Sequence, residues 1–407
     1  MNLLFAWRYF KAKKSTNAIN IIAWVSALAI VMITASFIVV LSVFNGFEGL
    51  VKSLYSTFYT DIRISPAKGK FMEVSPGQLK QLTGMKDIRK FSLTVEEKTI
   101  FINGDNTIPL YLKGVDENYA AVTDVPKKVI RGSFELGTAD LPSVVLGSGI
   151  ENALAIESDR SLYPLTAVMF KRGVSINGVD PSEVLSVENV NPTGTFFIQQ
   201  DLDNKYAITN LGFMRRMMRL KDNETGNIEI SVKNSGTQAA VKQSLKQIFG
   251  KNYLIESRYE QNRSLYSVMT LEKWAIYGIL TLMLIVAAFT LIGALTMLVL
   301  EKQKDIQVLK AMGATNKRIQ GIFFQEGLLL AGIGAFTGFA LAILICWAQV
   351  KYKLVPIEGG TFLIDYYPVT LKFGDFVLVL VTVFLVTGLA AWYPSQKAAA
   401  QPIELKS

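Results

Sequence analysis

The sequence contains no histidine, and its single cysteine, Cys346, lies within a long apolar stretch. These absences exclude a disulfide within the chain, a metal site of histidine and cysteine ligands, and a serine or cysteine nucleophile activated by histidine. A pair of catalytic carboxylates stays possible, but no spacing of acidic residues singles one out. We therefore predict a non-catalytic chain that holds no metal and no cofactor of its own.

A phosphate-binding loop of the Walker A type is also missing. That loop needs a Gly-Lys pair followed by Ser or Thr, whereas Gly69-Lys70 precedes phenylalanine and Gly250-Lys251 precedes asparagine. If the protein uses ATP, a separate chain must bind the nucleotide with its magnesium ion and hydrolyse it.

Charged residues are absent from four long stretches, at 18–44, 274–300, 327–350 and 376–396. Half of the 407 residues are hydrophobic, and the mean hydropathy is +0.31. A helix that crosses a bilayer needs about 20 apolar residues, and in lipid the backbone must satisfy its own hydrogen bonds. The four stretches therefore predict four transmembrane helices, the last of them at 376–394.

Basic residues flank these spans unequally. Eleven lysines and arginines lie in 1–17, 301–326 and 395–407, against three in 351–375. Because positive loops stay in the cytoplasm, both termini and 301–326 are predicted to be cytoplasmic, and 45–273 and 351–375 to lie outside. The net charge of +9 partly reflects this bias, so we predict no nucleic-acid partner.

The first apolar stretch is too long for the core of a signal peptide, and no small-residue cleavage site follows it. We therefore expect an uncleaved anchor. Helically spaced apolar residues continue this span outward and precede the second span, which predicts two helical stalks. These residues are Phe47, Leu50, Val51 and Leu54, then Leu265, Val268 and Met269.

The long segment 45–273 has the size of one large domain or two small ones. The residue patterns at both ends of this segment are typical of strand–helix–strand units, and together they predict one α+β subdomain. Short strands with turns predict a β-rich subdomain over 130–210. The fold class is thus a polytopic helical membrane protein with a large α+β domain inserted between the first two spans. The predicted elements are strands at 61–65, 99–103, 109–115, 227–233 and 253–257, a helix that starts at Ser75-Pro76, and a helix at 237–249.

A short amphipathic helix is predicted between the second and third spans. Its apolar residues follow helical spacing, and Gly313 suits the left-handed position at a helix end. Such a helix either lies on the anionic membrane surface or inserts into a groove of a partner ATPase as a coupling helix. The candidate coupling residues are Glu301, Lys304, Asp305, Ile306, Leu309, Met312 and Gly313.

The glycines Gly332, Gly334 and Gly338 superficially match a nucleotide-binding loop. They lie in the middle of a predicted span with no strand before them. Close helix packing of the GxxxG type is the better interpretation.

Residues 301–338 resemble the cytoplasmic loop and third span of permeases in the macrolide-exporter/FtsX (MacB/FtsX-type) superfamily. The N-terminal FAWRYFKAKK, the sequence SVFNGFEG at 42–49 and Leu271–Trp274 more narrowly resemble the lipoprotein-releasing permeases of the LolC/LolE family. The stretches 111–119 and 144–154 carry the same resemblance within the outer domain.

This resemblance implies an ABC transporter of the bacterial inner membrane. Such permeases pair with an identical or homologous permease and bind two copies of an ATPase subunit at the cytoplasmic face. They extract lipoproteins from the outer leaflet and pass them to a periplasmic chaperone. The superfamily leaves two alternatives open, namely an FtsX-like regulator of a cell-wall hydrolase and a MacB-like exporter of peptides or amphiphiles.

An acyl-chain cleft is expected where the first and second spans face the outer leaflet, since each buried CH₂ contributes about 0.8 kcal/mol. For any one residue, helix packing or lipid contact is the simpler interpretation. The candidate lining residues are Phe37, Val40, Leu41, Phe44, Trp274, Tyr277 and Leu280.

A hairpin that binds the chaperone is expected at about 171–181, by resemblance to the same permeases. Its candidate residues are Lys171, Arg172, Asn177 and Gly178. The alternative is an ordinary solvated hairpin, since the sequence does not match the hairpin of those permeases residue by residue.

The predicted topology is testable with reporter fusions. A reporter that is active only in the cytoplasm should work after Ser407 or within 302–318 and should be silent within 60–250 or 355–370. An outward-facing C-terminus would contradict the prediction, because it requires an odd number of spans.

Overall fold

The computed structural model describes residues 17–161, 163–172, 184–357, 364 and 366–401, and of 17–23 and 235 it describes only the backbone. The described chain divides into two compact units. The first comprises 17–50, 267–357, 364 and 366–401, and the second comprises 51–266.

The helices of the described chain are, in order, α1 (Asn17–Phe58), α2 (Pro76–Gly84), α3 (Tyr119–Val122), α4 (Ser148–Ala153), α5 (Gln200–Asp203), α6 (Leu211–Met218), α7 (Gln238–Phe249), α8 (Arg258–Gln261), α9 (Arg263–Glu301), α10 (Gln303–Ala311), α11 (Asn316–Tyr352) and α12 (Phe373–Ala399). Short 3₁₀ turns lie at Val125–Lys128 and Ser235–Thr237.

Within the described residues, four helices are long and apolar enough to cross a membrane: α1, α9, α11 and α12. Each contains one of the four predicted spans. The helix α1 continues without a break to Phe58, and α9 begins at Arg263, so the helical continuations predicted next to the first two spans are present.

Glycines allow α11 to approach α1 closely. A β-carbon placed on Gly334 would lie 2.6 Å from Cγ2 of Ile30, and one on Gly338 would lie 2.8 Å from Cβ of Thr34. Both distances are too short for any larger residue to fit without displacing α1. The predicted GxxxG-type packing is confirmed for Gly334 and Gly338, and it joins the first and third spans. A β-carbon on Gly332 would meet only Cζ of Phe384 at 3.7 Å, which is an ordinary contact.

The fourth span also packs closely on the third at a glycine. A β-carbon on Gly327 of α11 would lie 2.6 Å from Cβ of Ala391 on α12. Buried side chains from all four helices, among them Ile38, Leu284 and Val383, form one apolar cluster. The spans therefore form a packed bundle within the first unit.

The second unit is built on a ten-stranded sheet in the order β12-β1-β11-β3-β4-β9-β6-β8-β5, with β7 paired to β3 and β8. A two-stranded sheet pairs β10 with β2. The strands are β1 (Ile62–Pro66), β2 (Met72–Glu73), β3 (Ile88–Asn103), β4 (Asn106–Val115), β5 (Val129–Gly132), β6 (Ser143–Gly147), β7 (Leu165–Phe170), β8 (Leu185–Phe196), β9 (Tyr206–Asn210), β10 (Glu224–Thr225), β11 (Asn227–Val232) and β12 (Tyr253–Ser257).

The two ends of this unit meet as the sequence predicted. The first strand lies between β11 and β12, with Ile62 opposite both Ile230 and Ser257. Ser75 caps α2 in a capping box with Gln78. The turn between β3 and β4 places Gly104 at φ +56°, a conformation in which glycine is favoured.

The β-rich subdomain predicted for 130–210 is not separate. The strands β6, β8 and β9 join the same sheet as β1 and β12, through a parallel pairing of β4 with β9 that sets Tyr111 opposite Tyr206. Local patterns identify strands but do not identify partners distant in sequence, so the sequence could not reveal this connection.

A buried ion pair lies beside the last residue of α1. The ammonium of Lys113 is 2.7 Å from Oε1 of Glu229 and 4.7 Å above the ring of Phe58. Burial alone would lower the pKa of Lys113, but Glu229, with Tyr119 and Glu96, raises it above its ordinary value. Lys113 therefore stays charged and provides a cation–π contact for the end of α1.

Replacing Gly338 by leucine should separate α1 from α11, and overpacking of this kind costs about 1–3 kcal/mol. We expect a clear loss of thermal stability of the chain in detergent, followed by tryptophan fluorescence. Gly293→Leu on α9 is the matched control, since a β-carbon there meets no described atom within 4 Å. Equal losses for the two variants would contradict the proposed contact.

Candidate functional site

The helix α10 lies between the second and third spans, where the sequence predicted a short amphipathic helix. Glu301 ends α9, and α10 carries Lys304, Asp305 and Leu309. Gly313 follows at φ +88°, and its N–H donates to the carbonyl of Lys310 at 2.9 Å. The glycine-terminated helix is therefore present as predicted.

The predicted apolar ridge of this helix is split between two faces. Ile306 is only 1% exposed and packs against residues of α9, α11 and α12, namely Leu298, Val299, Ile319, Phe323 and Ala398. Val308 is 60% exposed and Met312 is 79% exposed. Ile306 therefore does not belong to a surface that a partner can reach, because it completes the packing of its own chain.

Lys310 joins α10 to the end of the fourth span. Its ammonium donates to the carbonyls of Ala399 at 2.9 Å and of Gln401 at 2.6 Å. The last carbonyls of a helix lack partners within the helix and carry partial negative charge, so a lysine there is stabilising. The sequence showed Lys310 only as one of several basic residues, and nothing in its spacing indicates this partner.

The other charged residues of this region have different surroundings. Lys302 forms an ion pair with Asp305 at 3.3 Å, whereas Lys304 lies on the exposed side of α10. The exposed surface of α10 thus combines Val308 and Met312 with Lys304.

The candidate cleft residues are separated by the structure into a buried and an exposed group. Phe37, Leu41 and Leu280 are buried in the helix bundle, so in this conformation they pack helices together and do not line an open cleft. Val40 is exposed, and Trp274 is 61% exposed. An apolar span gives no sequence signal that separates the lipid-facing side from the packed side, which is why the prediction combined both groups.

Two further candidates are half-buried, and one of them, Tyr277, is linked to neighbouring helices. The hydroxyl of Tyr277 is hydrogen-bonded to that of Thr382 on α12. Its ring centroid lies 5.7 Å from that of Phe37 on α1. Phe44 is also half-buried. This end of the second span therefore contacts both the first and the fourth spans.

Three polar side chains from α1, α9 and α12 meet about one helical turn beyond Leu41 of α1 and one turn before Tyr277 of α9. The ammonium of Lys273 on α9 donates to Oδ1 of Asn45 on α1 at 3.1 Å and to Oδ1 of Asp375 on α12 at 3.3 Å. The Asn45 amide donates to Oδ2 of Asp375 at 2.5 Å. We call Asn45, Lys273 and Asp375 the three-helix junction. Sequence reasoning missed it, although Lys273 and Asp375 directly precede the second and fourth apolar stretches.

The segment before α12 lies directly on α1 beside this junction. The Thr370 N–H donates to the carbonyl of Ser42 at 2.9 Å, and Lys372 forms an ion pair with Glu48 at 3.2 Å. A β-carbon on Gly46 would lie 2.2 Å from the carbonyl oxygen of Pro368. The sequence SVFNGFEG thus forms the surface on which this segment docks, and a glycine is required where the two backbones touch.

The residues predicted for a chaperone hairpin lie partly outside the described residues, which do not include Asn177 and Gly178. Strands β7 and β8 pair antiparallel, and the Lys171 N–H donates to the carbonyl of Val184 at 2.8 Å. The guanidinium of Arg172 binds Glu224 at 2.7 Å. Lys171 and Arg172 therefore lie at the base of the connection between two paired strands.

Arg172 also borders a groove of about 940 Å³ on the second unit. Its walls include the apolar residues Ile100, Leu110 and Phe170, together with four lysines, Arg172 and Glu97. The guanidinium of Arg172 lies 5.3 Å from the ring centroid of Phe71. In this structure Arg172 is thus engaged by its own chain.

Two family models match the chain. The MacB-like periplasmic core domain matches residues 23–248, which is more than half of the chain. The FtsX-like permease C-terminal domain matches residues 277–403. The four spans and the inserted α+β domain are the architecture that the sequence predicted.

Proteins with curated names match over nearly the whole chain. The lipoprotein-releasing system transmembrane protein LolC of Neisseria meningitidis is 26% identical, covering 98% of this chain and 98% of its own length. The lipoprotein-releasing system transmembrane protein LolE of Haemophilus influenzae is 23% identical, covering 99% of this chain and 98% of its own length. The periplasmic region of MacB from Actinobacillus actinomycetemcomitans is 14% identical with a TM-score of 0.35, covering 52% of this chain and 94% of that region. With one family model matching more than half of its residues and a second matching its C-terminal spans, this chain belongs to the MacB/FtsX-type permease superfamily.

Proposed function

We propose that this chain is the membrane-spanning permease subunit of an ABC transporter that extracts lipoproteins from the outer leaflet of the bacterial inner membrane. The observation that carries the proposal is the similarity, over 98% or more of the chain, to relatives named as lipoprotein-releasing transmembrane proteins. Both termini face the cytoplasm in this proposal, and the 51–266 unit is the periplasmic domain.

The working transporter contains more than this chain. A second permease, identical or homologous, pairs with it, and two copies of an ATPase subunit bind ATP and magnesium and hydrolyse the nucleotide. The released lipoprotein passes to a periplasmic chaperone without crossing the bilayer. The sequence supports this division of labour, because it contains no Walker A motif.

The exposed surface of α10 is the proposed docking site of the ATPase. Val308 and Met312 present apolar side chains that a protein groove can bury, which adds about 25 cal/mol for each Å² removed from water. The opposite side of α10 is fixed to three spans by Ile306 and to the end of α12 by Lys310. A movement of the ATPase would therefore pass directly to the second, third and fourth spans.

The acyl chains of the lipoprotein are proposed to enter beside α1 and α9. Val40 and Trp274 are the exposed members of the predicted cleft. The indole of Trp274 suits a position between lipid and water, where one end of the side chain is apolar and the other can hydrogen-bond. The alternatives, a regulator of a cell-wall hydrolase or an exporter of amphiphiles, are supported only by membership in the superfamily.

Depletion of the protein from its host tests the function. We expect mature lipoproteins destined for the outer membrane to accumulate in the inner membrane, because their extraction is the step that stops. Membrane fractionation and immunoblotting of two such lipoproteins measure the change, and re-expression should reverse it. An unchanged lipoprotein distribution with altered cell-wall hydrolysis would support the regulator instead.

Coupling through α10 is tested by Met312→Asp and Val308→Asp. Each places a charge in the proposed apolar contact, where burial without a partner is strongly unfavourable. We expect both variants to lose the ATPase subunit during co-purification in mild detergent.

Lys304→Gln on the same surface is the comparison variant. It removes a positive charge without placing an unpaired charge in the apolar contact, so it should retain most of the ATPase. If α10 instead lies on anionic lipid, where each basic residue contributes about 1 kcal/mol, Lys304→Gln should weaken its membrane contact and the aspartate variants should keep the ATPase. Wild-type amounts of ATPase with Met312→Asp would refute the coupling site.

A further inference from the structure

The three-helix junction joins α1, α9 and α12 at the end of the bundle where the predicted cleft residues lie. Asn45 is 2% exposed and Asp375 is 8% exposed, and Lys273 donates to both of them. Ionisable residues at membrane depth are costly and need partners close by. The junction therefore depends on all three helices keeping their present separation.

The ion pair of Lys273 and Asp375 is partly buried, with side chains 29% and 11% exposed. Removing either member would leave the other charged group without its partner in a partly desolvated setting. The Asn45 amide contributes a donor to Asp375 and an acceptor to Lys273. Asn45 thus bridges the two charges from α1, and a displacement of α1 from α9 breaks its contact with Lys273.

The buried cleft residues lie next to this constraint. Leu41 is one helical turn before Asn45 on α1, and Tyr277 is one turn after Lys273 on α9. Phe37 and Tyr277 contact each other across the two helices. Phe37, Leu41 and Leu280 are buried in the helix bundle, so an acyl chain reaches them only if helices of the bundle move apart.

We propose that the three-helix junction is a latch that holds the periplasmic ends of the first and second spans together, and that its release admits the acyl chains. The proposal assigns a role to two sequence features that the proposed function leaves unexplained. Asn45 lies within SVFNGFEG, and Lys273 lies within the Leu271–Trp274 stretch. It rests on the proposed function for the nature of the ligand, but the latch itself can be measured without any lipoprotein.

The test is the distance between spin labels on the full-length chain in lipid nanodiscs. Cys346→Ser removes the native thiol, and Val40→Cys and Ile279→Cys place labels at exposed positions of α1 and α9. Pulsed electron paramagnetic resonance gives the distribution of label distances. In the parent protein we expect one narrow distribution.

Lys273→Met should broaden this distribution and shift its centre outward by about 4 Å, roughly half the usual 8–10 Å between packed helix axes. Asp375→Asn should act in the same direction, and it provides a milder change if Lys273→Met does not fold. Lys372→Gln is the matched control, since it removes the neighbouring exposed ion pair with Glu48 and should leave the distance unchanged.

The charge-reversed variant Lys273→Asp/Asp375→Lys should restore the parent distance, because the Asn45 amide can donate or accept in either arrangement. If Lys273→Met and Asp375→Asn both keep the label distance of the parent protein, the latch proposal is refuted, whatever the chain transports. A charge-reversed variant as displaced as Lys273→Met would also overturn it. A distance shift in nanodiscs, together with normal lipoprotein sorting in cells depleted of this protein, would support the latch and refute the proposed function.

Discussion

The helix α1 runs for 42 residues without a break, from Asn17 to Phe58. Several other features of the first unit depend on contacts with this helix. Gly334 and Gly338 pack on its membrane-spanning part, Ser42 and Gly46 support the segment before α12, and Asn45 supplies the bridging amide of the junction. In the second unit, the last residue of α1 lies under the buried ammonium of Lys113.

The two ends of the helix bundle are held by different kinds of interaction. At the α10 end, a buried isoleucine and a lysine that caps α12 join one short helix to three spans. At the other end, an ion pair bridged by an amide joins three spans. The apolar contact is non-directional, whereas the hydrogen-bonded ion pair depends on the positions of particular donors and acceptors. This difference suits the proposed function, in which an ATPase acts on the α10 end and a ligand enters at the other end.

Sequence patterns identified the spans and five of the twelve strands of the described chain, because each of these depends on local periodicity or local turn chemistry. The charge-free stretches gave four helices, and the Ser75-Pro76 pair gave the start of α2. The glycines at 334 and 338 indicated close packing, since only a small side chain permits it. The sequence could not name the partners, so Ile30 and Thr34 became known only from the structure.

What the sequence by itself determined is the class of protein: four membrane spans, an inserted α+β domain, no nucleotide-binding loop, and a glycine-terminated helix between two spans. These properties follow from hydrophobicity, charge and short-range geometry along one chain. Only the tertiary structure decided which apolar residues face inward, as for Ile306 and Leu41, and which polar residues from distant segments meet, as for Asn45, Lys273 and Asp375. Such pairings depend on helix rotation and contact in three dimensions, for which a single sequence carries no local signal.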